Sequence, residues 1–568
     1  MVFAVPTYVL TINDIQSQFM SAMQADDRDG MAAVYQKMLA FAAKVPKEWA
    51  VWFQLGNWHL AQDRFMEALP YFVLAWELHP GFPEDSPKAG KKDPGIAQNI
   101  GSCYRGEHQQ ELAEPWYLVA AEIEPDNADV WNNLGTRYVN EGNPQKAAKY
   151  LSKAVKLNPG LHHAHWNLSL ALLEMGDWKR GFPEYSWGLE GTDRLIKRYT
   201  PDLPWWHGEP VNRLLVYGEQ GIGDEIMYAT LLKRLLDRGL AKEIVLDCHD
   251  RLELLFRDAF EDLPIEIHGT RKLADEAPMW DHHADAKVAI GQIPQWLISS
   301  EDELPKTPYL KIPTDINEDF VETTRTVVGV SWVGGAKTTR KEYRSAGLKA
   351  ILEGVLEYIP DALFVSTQYT DHSSDVAECG IEVKEFPGIF QSIYPFERYY
   401  PTTEPNHWQQ SRLSMQASAP LVLDHKHALP AGGHKDETGA IYFEQKDSAK
   451  EYCRVRYGHS RPFHWIDPHG GYDYRRSLWA LDRIVKSGGL LIGVNNSMVH
   501  LAGAAGLPYF CLTPAHPAWR YGMRRRDMPF YSKSSVRQYR QTEQGDWAPA
   551  VAAAGKAMLK LKRRRLAA

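Results

Sequence analysis

Leu214-Leu-Val-Tyr-Gly-Glu219-Gln-Gly221-Ile-Gly223-Asp224-Glu-Ile-Met-Tyr-Ala229 reads as an apolar strand, a glycine turn and the opening of a helix that carries a carboxylate. The helical pattern continues over 226–236. In an open α/β sheet, the loop at the carboxyl end of the first strand borders the ligand crevice, so this unit aims Asp224 at such a crevice. A second unit of the same kind lies near the far end: the apolar run 490–494, then Asn495-Asn496-Ser497, then His500-Leu-Ala-Gly-Ala-Ala-Gly506. Between them strand-like and helix-like runs alternate, with 244–247, 327–332 and 363–366 the clearest strands, which is the pattern of a parallel sheet. The run at 327 starts a fresh first strand, so two Rossmann-like α/β halves are expected at 205–322 and 323–548.

Ahead of these halves the sequence is periodic. Pro46 to Pro80 is 34 residues, Pro80 to Pro125 is 45, and Pro125 to Pro159 is 34 again. Trp52, Leu55, Gly56, Ala68, Phe72, Ala75 and Pro80 recur as Trp131, Leu134, Gly135, Ala147, Leu151, Ala154 and Pro159. A middle copy keeps Ile100, Gly101, Ala113, Tyr117, Ala120 and Pro125, and the Pro-, Gly- and Lys-rich stretch 81–93 absorbs the longer interval. Glycine and alanine at these places let paired helices approach while aromatics fill the seam. The pattern matches the tetratricopeptide repeat, giving an α-solenoid over about residues 1–195 with 15–46 as a cap. Such arrays hold a partner protein in a groove or brace the rest of the chain, and the sequence leaves both open.

At 568 residues the chain exceeds a single core, and three domains are expected. A net charge of −8 argues against a generally basic nucleic-acid coat, and no apolar run approaches the roughly 20 residues of a membrane span. A cytoplasmic location is the resulting expectation. The five cysteines lack Cys-x-x-Cys spacing, which disfavours a structural zinc or a disulfide framework and suggests packing residues. Residues 549–568 read as a basic amphipathic C-terminal helix, either solvated or in contact with an anionic polymer or membrane surface.

Four stretches then carry a resemblance: Glu219 to Ala229; Gly329-Val-Ser-Trp-Val-Gly-Gly335 with Arg344-Ser345; Phe364-Val-Ser-Thr-Gln368; and Val494-Asn-Asn-Ser-Met-Val-His500-Leu-Ala-Gly-Ala. Together with the repeats, the chain resembles bacterial or phage-type tetratricopeptide-repeat proteins fused to a heptosyltransferase-like domain, and more distantly the O-linked N-acetylglucosamine transferases. The resemblance implies a GT-B fold, with 205–322 on the acceptor side and 323–548 on the nucleotide-sugar side. It also implies an inverting, metal-independent glycosyltransferase that uses a nucleotide sugar as substrate and no further cofactor. The acceptor implied is a hydroxyl of a protein, a glycan or a modified DNA base.

Transfer of this kind needs a base for the acceptor hydroxyl, and Asp224 matches the acidic residue to which the resemblance gives that role. An Asp in a first helical turn also caps free N–H groups, so both readings stand. Glu219 is the substitute base. Gly221 and Gly223 read as a tight turn or a close backbone approach to ligand. The leaving diphosphate needs dipoles and cations. Asn495, Asn496 and Ser497 at a helix start form a candidate anion seat, with His500 one turn further in. Lys337, Arg340 and Arg344, with Lys341 among them, form a candidate phosphate cluster, and Gln368 lies in the matching loop.

The chain departs from the family where Asn495-Asn496-Ser497 replaces an Asp-Thr-Ser or Asp-Thr-Gly pattern. That change favours either a different sugar or a retired site, so a non-catalytic partner-binding scaffold with a degenerate GT-B domain is the alternative. The segment 383–471, rich in His, Tyr, Trp and Pro, is an insertion suited to acceptor binding. No histidine spacing there fits a zinc pattern, and Asp27-Arg-Asp29 in the repeats is the sole Asp-x-Asp, so no metal site is expected.

Overall fold

The computed structural model describes residues 28–567 except 108, 190–202, 270–282, 317–322, 335–343, 369–371, 386–396, 401–432, 436–440, 444–462, 467–473 and 523–524. The chain divides into two compact units, Met1–Met175 and Gly176–Ala568.

The first unit is helical, with the pairs Trp49–Leu60 and Phe65–Leu78, Pro94–Gly106 and Gln110–Ile123, and Ala128–Glu141 and Pro144–Leu157. Arg28–Lys44 precedes them and His162–Glu174 follows. The small residues act as the spacing suggested. A Cβ on Gly56 would stand 2.6 Å from the Phe72 ring, one on Gly101 2.8 Å from the Tyr117 ring, and one on Gly135 would overlap Leu151. Three of the repeats also tie back to the proline that closes the one before. Trp52 Nε1 donates to the Pro46 carbonyl (2.9 Å), Trp131 Nε1 to that of Pro125 (2.8 Å), and His165 Nε2 meets that of Pro159 (2.9 Å). An amide series crosses the helix pairs: Asn99 donates to Asn57 (2.7 Å), Asn133 to Gln98 (3.4 Å), and Asn167 to Asn132 (3.2 Å) and Thr136 (2.9 Å).

The second unit contains two parallel sheets. β1 (Val211–Tyr217), β2 (Ala241–Asp247), β3 (Ile265–His268) and β4 (Ala286–Ala289) lie in the order β3-β2-β1-β4. β5 (Thr326–Ser331), β6 (Ala362–Ser366), β7 (Val383–Glu385), β12 (Leu490–Val494), β13 (Tyr509–Thr513) and β14 (Val536–Arg540) lie in the order β14-β13-β12-β5-β6-β7. The order in which strands are added to the larger sheet therefore switches from one side to the other between β5 and β12, which pair in parallel, and both of those strands end in loops proposed from sequence. β5, β6, β12 and β13 are buried on both faces, which is why their sequences are continuous apolar runs. Val328, Val330, Phe364, Ile492 and Leu512 share a core with Ile351, Leu352 and Val355 of helix Leu348–Leu356 and with Val551, Ala554 and Met558 of helix Ala548–Ala567.

Three boundaries differ from expectation. Helix Trp178–Ser186 belongs to the second unit, where Trp178 and Phe182 pack on Trp519, so that unit begins before residue 195. The helical run 226–236 is two helices, Ile222–Ala229 and Leu232–Asp237. β7 completes the larger sheet, so the inserted segment starts after it. That segment contains β8 (Glu397–Tyr400), β9 (Gly433–Lys435), β10 (Ile441–Phe443) and β11 (Phe463–Ile466), an antiparallel sheet in the order β11-β8-β10-β9. His425, His427, His459 and His469 lie outside the described residues. Cys103, Cys248, Cys379 and Cys511 are buried, as packing residues would be; Cys453 lies outside the described residues.

Candidate functional site

The loops after β1, β5, β12 and β13 leave the carboxyl ends of their strands and converge. Helix Ile222–Ala229 packs on helix Ser497–Ala504, and a Cβ on Gly223 would stand 2.7 Å from the His500 ring. Asp224 and His500 thus meet at one junction. Gly221 has φ −77°, and its Cβ would meet only Asp224 Oδ2 at 3.4 Å. The steric need for glycine therefore lies at Gly223 and arises from close approach.

Asp224 is 8% exposed and divides its two oxygens. Oδ2 accepts from the Gly221 N–H (3.3 Å), capping the helix, and Oδ1 forms an ion pair with Arg520 (2.9 Å). Cap and charge partner thus coexist on one carboxylate. Burial works against the Arg520 charge, but Asp224, joined by Tyr521, Tyr185 and Tyr228, outweighs it and holds the guanidinium above its ordinary pKa. Arg520 comes from the turn Trp519–Tyr521 after β13 and had no signal in motif spacing. The available hint was a cation inside the aromatic cluster Trp519-Arg520-Tyr521 just beyond a buried strand.

Glu219 is fully buried, and a Cβ on Gly291 would overlap its Oε1. It is packed into the wall behind the loop. Its neighbour Glu225, also fully buried, accepts from the His249 N–H at 2.9 Å.

The loop after β12 is bound internally. Asn495 Oδ1 accepts from Cys511 Sγ (2.8 Å) and Thr513 Oγ1 (3.3 Å). Asn496 Oδ1 caps helix Ser497–Ala504 by accepting from the Met498 N–H (3.0 Å), while its Nδ2 donates to Ser331 Oγ (3.1 Å) and the Val333 carbonyl (3.2 Å). Ser497 Oγ accepts from Tyr474 (2.8 Å). Gln368 Oε1 accepts from the Trp332 and Val333 N–H groups, each at 3.2 Å, which fastens the loop after β5.

His500 is 2% exposed, with Nδ1 2.9 Å from the Tyr531 hydroxyl and Nε2 3.0 Å from that of Tyr521. Burial, then Arg520 and Arg344, push its pKa down to about 3, so the imidazole is neutral at ordinary pH. Burial holds the Tyr521 hydroxyl up at about 12 although both arginines oppose the shift. The field of Arg344 therefore reaches this junction, and its guanidinium donates to the Asn495 carbonyl (3.4 Å). Two guanidinium groups, one carboxylate and a neutral histidine gather at the ends of the two sheets. Lys337, Arg340 and Lys341 lie outside the described residues. Among the described residues no three His, Cys, Asp or Glu side chains stand close enough to hold a metal ion. No helix among them is long and apolar enough to cross a membrane.

Residues 128–161 match the tetratricopeptide repeat family. The chain is 23% identical over 350 residues to Protein FlbA of Caulobacter vibrioides, covering 52% of this chain and 58% of that one. It is 26% identical over 115 residues to the peroxisomal targeting signal receptor of Candida albicans, covering 19% of each. The chain thus spans about three fifths of the first relative and about a fifth of the second. The FlbA match covers more of the chain than the first unit contains, so it extends into the α/β unit. Among solved structures, MamA aligns at a TM-score of 0.25 and 18% identity over 30% of this chain and 91% of that one. The first unit is a tetratricopeptide-repeat array, joined in sequence to a parallel-sheet α/β unit.

Proposed function

We propose that this tetratricopeptide-repeat protein carries a GT-B glycosyltransferase in its α/β unit, moving a sugar from a nucleotide-sugar donor to an acceptor hydroxyl with inversion. The observation that carries the reading is the Asp224–Arg520 pair at 2.9 Å, set where the strand-end loops of both sheets converge. In the proposed reaction the Asp224 carboxylate takes the proton of the acceptor hydroxyl, the freed oxygen bonds to the sugar C1, and the bond from C1 to the diphosphate breaks. The leaving diphosphate carries away the electron pair and one added negative charge. In this reading Arg520 and Arg344 stabilise that charge. Drawing Arg520 toward the diphosphate also releases Asp224 to act as base.

The test titrates a panel of nucleotide sugars against the wild type and Asp224→Asn, measuring thermal shift and donor hydrolysis. Donor-dependent stabilisation of both proteins, with turnover in the wild type alone, is the expected outcome. If no donor shifts the melting of either protein and none is hydrolysed, the transfer reading fails.

A second reading, a partner-binding scaffold, is favoured by the repeats and by the loop after β12, whose Asn495, Asn496 and Ser497 side chains all bond within the protein. It expects a protein partner bound through the repeats and no donor response. The acceptor classes of the first reading, protein, glycan or modified DNA base, are separated by supplying each with whichever donor binds.

A further inference from the structure

Helix Ala548–Ala567 carries six cations between Lys556 and Arg565, and they divide into two sets. Lys562 pairs with Asp361 (2.8 Å), and Arg565 donates to the Gly489 carbonyl (2.8 Å). Together with Val551, Ala554 and Met558 in the core, these contacts fix which side of the helix faces the sheet. Lys556, Lys560, Arg563 and Arg564 consequently point outward and are exposed. Among the described residues no carboxylate pairs with them.

The four outward cations border a groove of about 590 Å³ lined also by Tyr358, Leu559 and Ala567. Leu566, 79% exposed, lies beside it on the same helix. The face thus joins fixed positive charge to uncovered carbon surface. A nucleic-acid backbone would be matched by the charge and would gain little from an exposed leucine. An anionic bilayer surface is matched by both, because lysine and arginine reach phosphates while leucine and the lysine stems enter the acyl boundary.

We propose that this helix face docks the protein peripherally on a membrane surface containing anionic phospholipid. The proposal is independent of catalysis.

Flotation of the full chain with vesicles tests it. Expected is strong binding to phosphatidylcholine vesicles containing about a third phosphatidylglycerol, weak binding to pure phosphatidylcholine, and loss at high salt as screening shortens the reach of the charges. Lys560→Gln with Arg563→Gln should weaken partition about 25-fold, since each cation near such a surface contributes roughly fivefold. These positions are exposed, so an unchanged melting temperature separates lost docking from lost folding. Leu566→Ser should weaken partition severalfold while leaving the salt dependence in place. Equal flotation with both vesicle types, or full binding by the double variant, overturns the proposal. Retained vesicle binding by Leu566→Ser together with tight binding of a DNA duplex also overturns it, in favour of a polyanion site.

Discussion

The loops after β1 and β12 occupy equivalent places at the ends of their sheets, yet they use their polar side chains in opposite ways. After β1, Asp224 holds its own helix with one oxygen and a charge from the far loop with the other. After β12, Asn495, Asn496 and Ser497 bond to β13, to β5 with its following loop, and to Tyr474. One loop keeps its charge at the junction between the sheets; the other spends its polarity on holding the larger sheet together. Sequence position at a strand end therefore nominates a site, and the partner of each polar atom decides what that site can do.

The largest effect should come from breaking the ion pair. Both Asp224 and Arg520 are mostly buried, so Arg520→Ala leaves a carboxylate without its partner and should cost about 3 kcal/mol in urea unfolding. Asp224→Asn combined with Arg520→Met should recover most of that stability, because a neutral pair of similar volume needs no charge compensation. On the transfer reading the double variant should still lose roughly 100-fold or more in turnover. A double variant as unstable as Arg520→Ala would show that interactions of Arg520 other than its charge pairing with Asp224 hold the junction.

His500 sharpens the comparison through pH. Its folded pKa lies near 3, below the ordinary value of 6.5, so below pH 6.5 the unfolded chain binds a proton that the folded chain refuses. Its contribution to stability is therefore complete above pH 6.5 and is lost as pH falls toward 3, at about 1.4 kcal/mol per unit for one proton. Unfolding midpoints of the wild type and His500→Gln at pH 6.5 and 4.5 should converge as pH falls. Parallel pH dependence in the two proteins would assign the acid sensitivity to other groups.

How much of this was legible depended on whether the signal was local. β12 begins and ends where its apolar run does, because a strand buried on both faces has no polar residue to blur its limits. The repeats were legible because close helix packing demands Gly56, Gly101 and Gly135 in every copy. The helix after β1 was overextended because its apolar pattern runs unbroken through 230–231, where the backbone leaves one helix and starts another. Arg520 was invisible because its partner lies nearly 300 residues away, and no spacing connects loops that meet only after two sheets fold. Asn495 and Asn496 were recognised by type, but the atoms they bond lie on strands and loops that sequence order does not place beside them.

Asn496 gives a smaller test on the β12 side. Asn496→Ala removes a helix cap and two further hydrogen bonds, for about 2 kcal/mol. Because the side chain works inside the larger sheet, that loss should appear equally with and without a nucleotide sugar. A variant of normal stability that fails to respond to donor would instead place Asn496 in the binding site and erase the contrast between the loops.

The smallest effects separate two glycines of one turn. A methyl at Gly223 meets the His500 ring at 2.7 Å, so Gly223→Ala must push the two loops apart or displace the ring from its tyrosine partners. A cost of about 1–2 kcal/mol is expected from such overpacking. A methyl at Gly221 makes only ordinary contact at 3.4 Å, and with φ at −77° the residue needs no glycine freedom, so Gly221→Ala should lie within about 0.5 kcal/mol of the wild type. Equal costs would mean that the turn itself demands glycine. The unequal result would locate the constraint in the far loop, since the glycine whose methyl is refused is the one that faces His500.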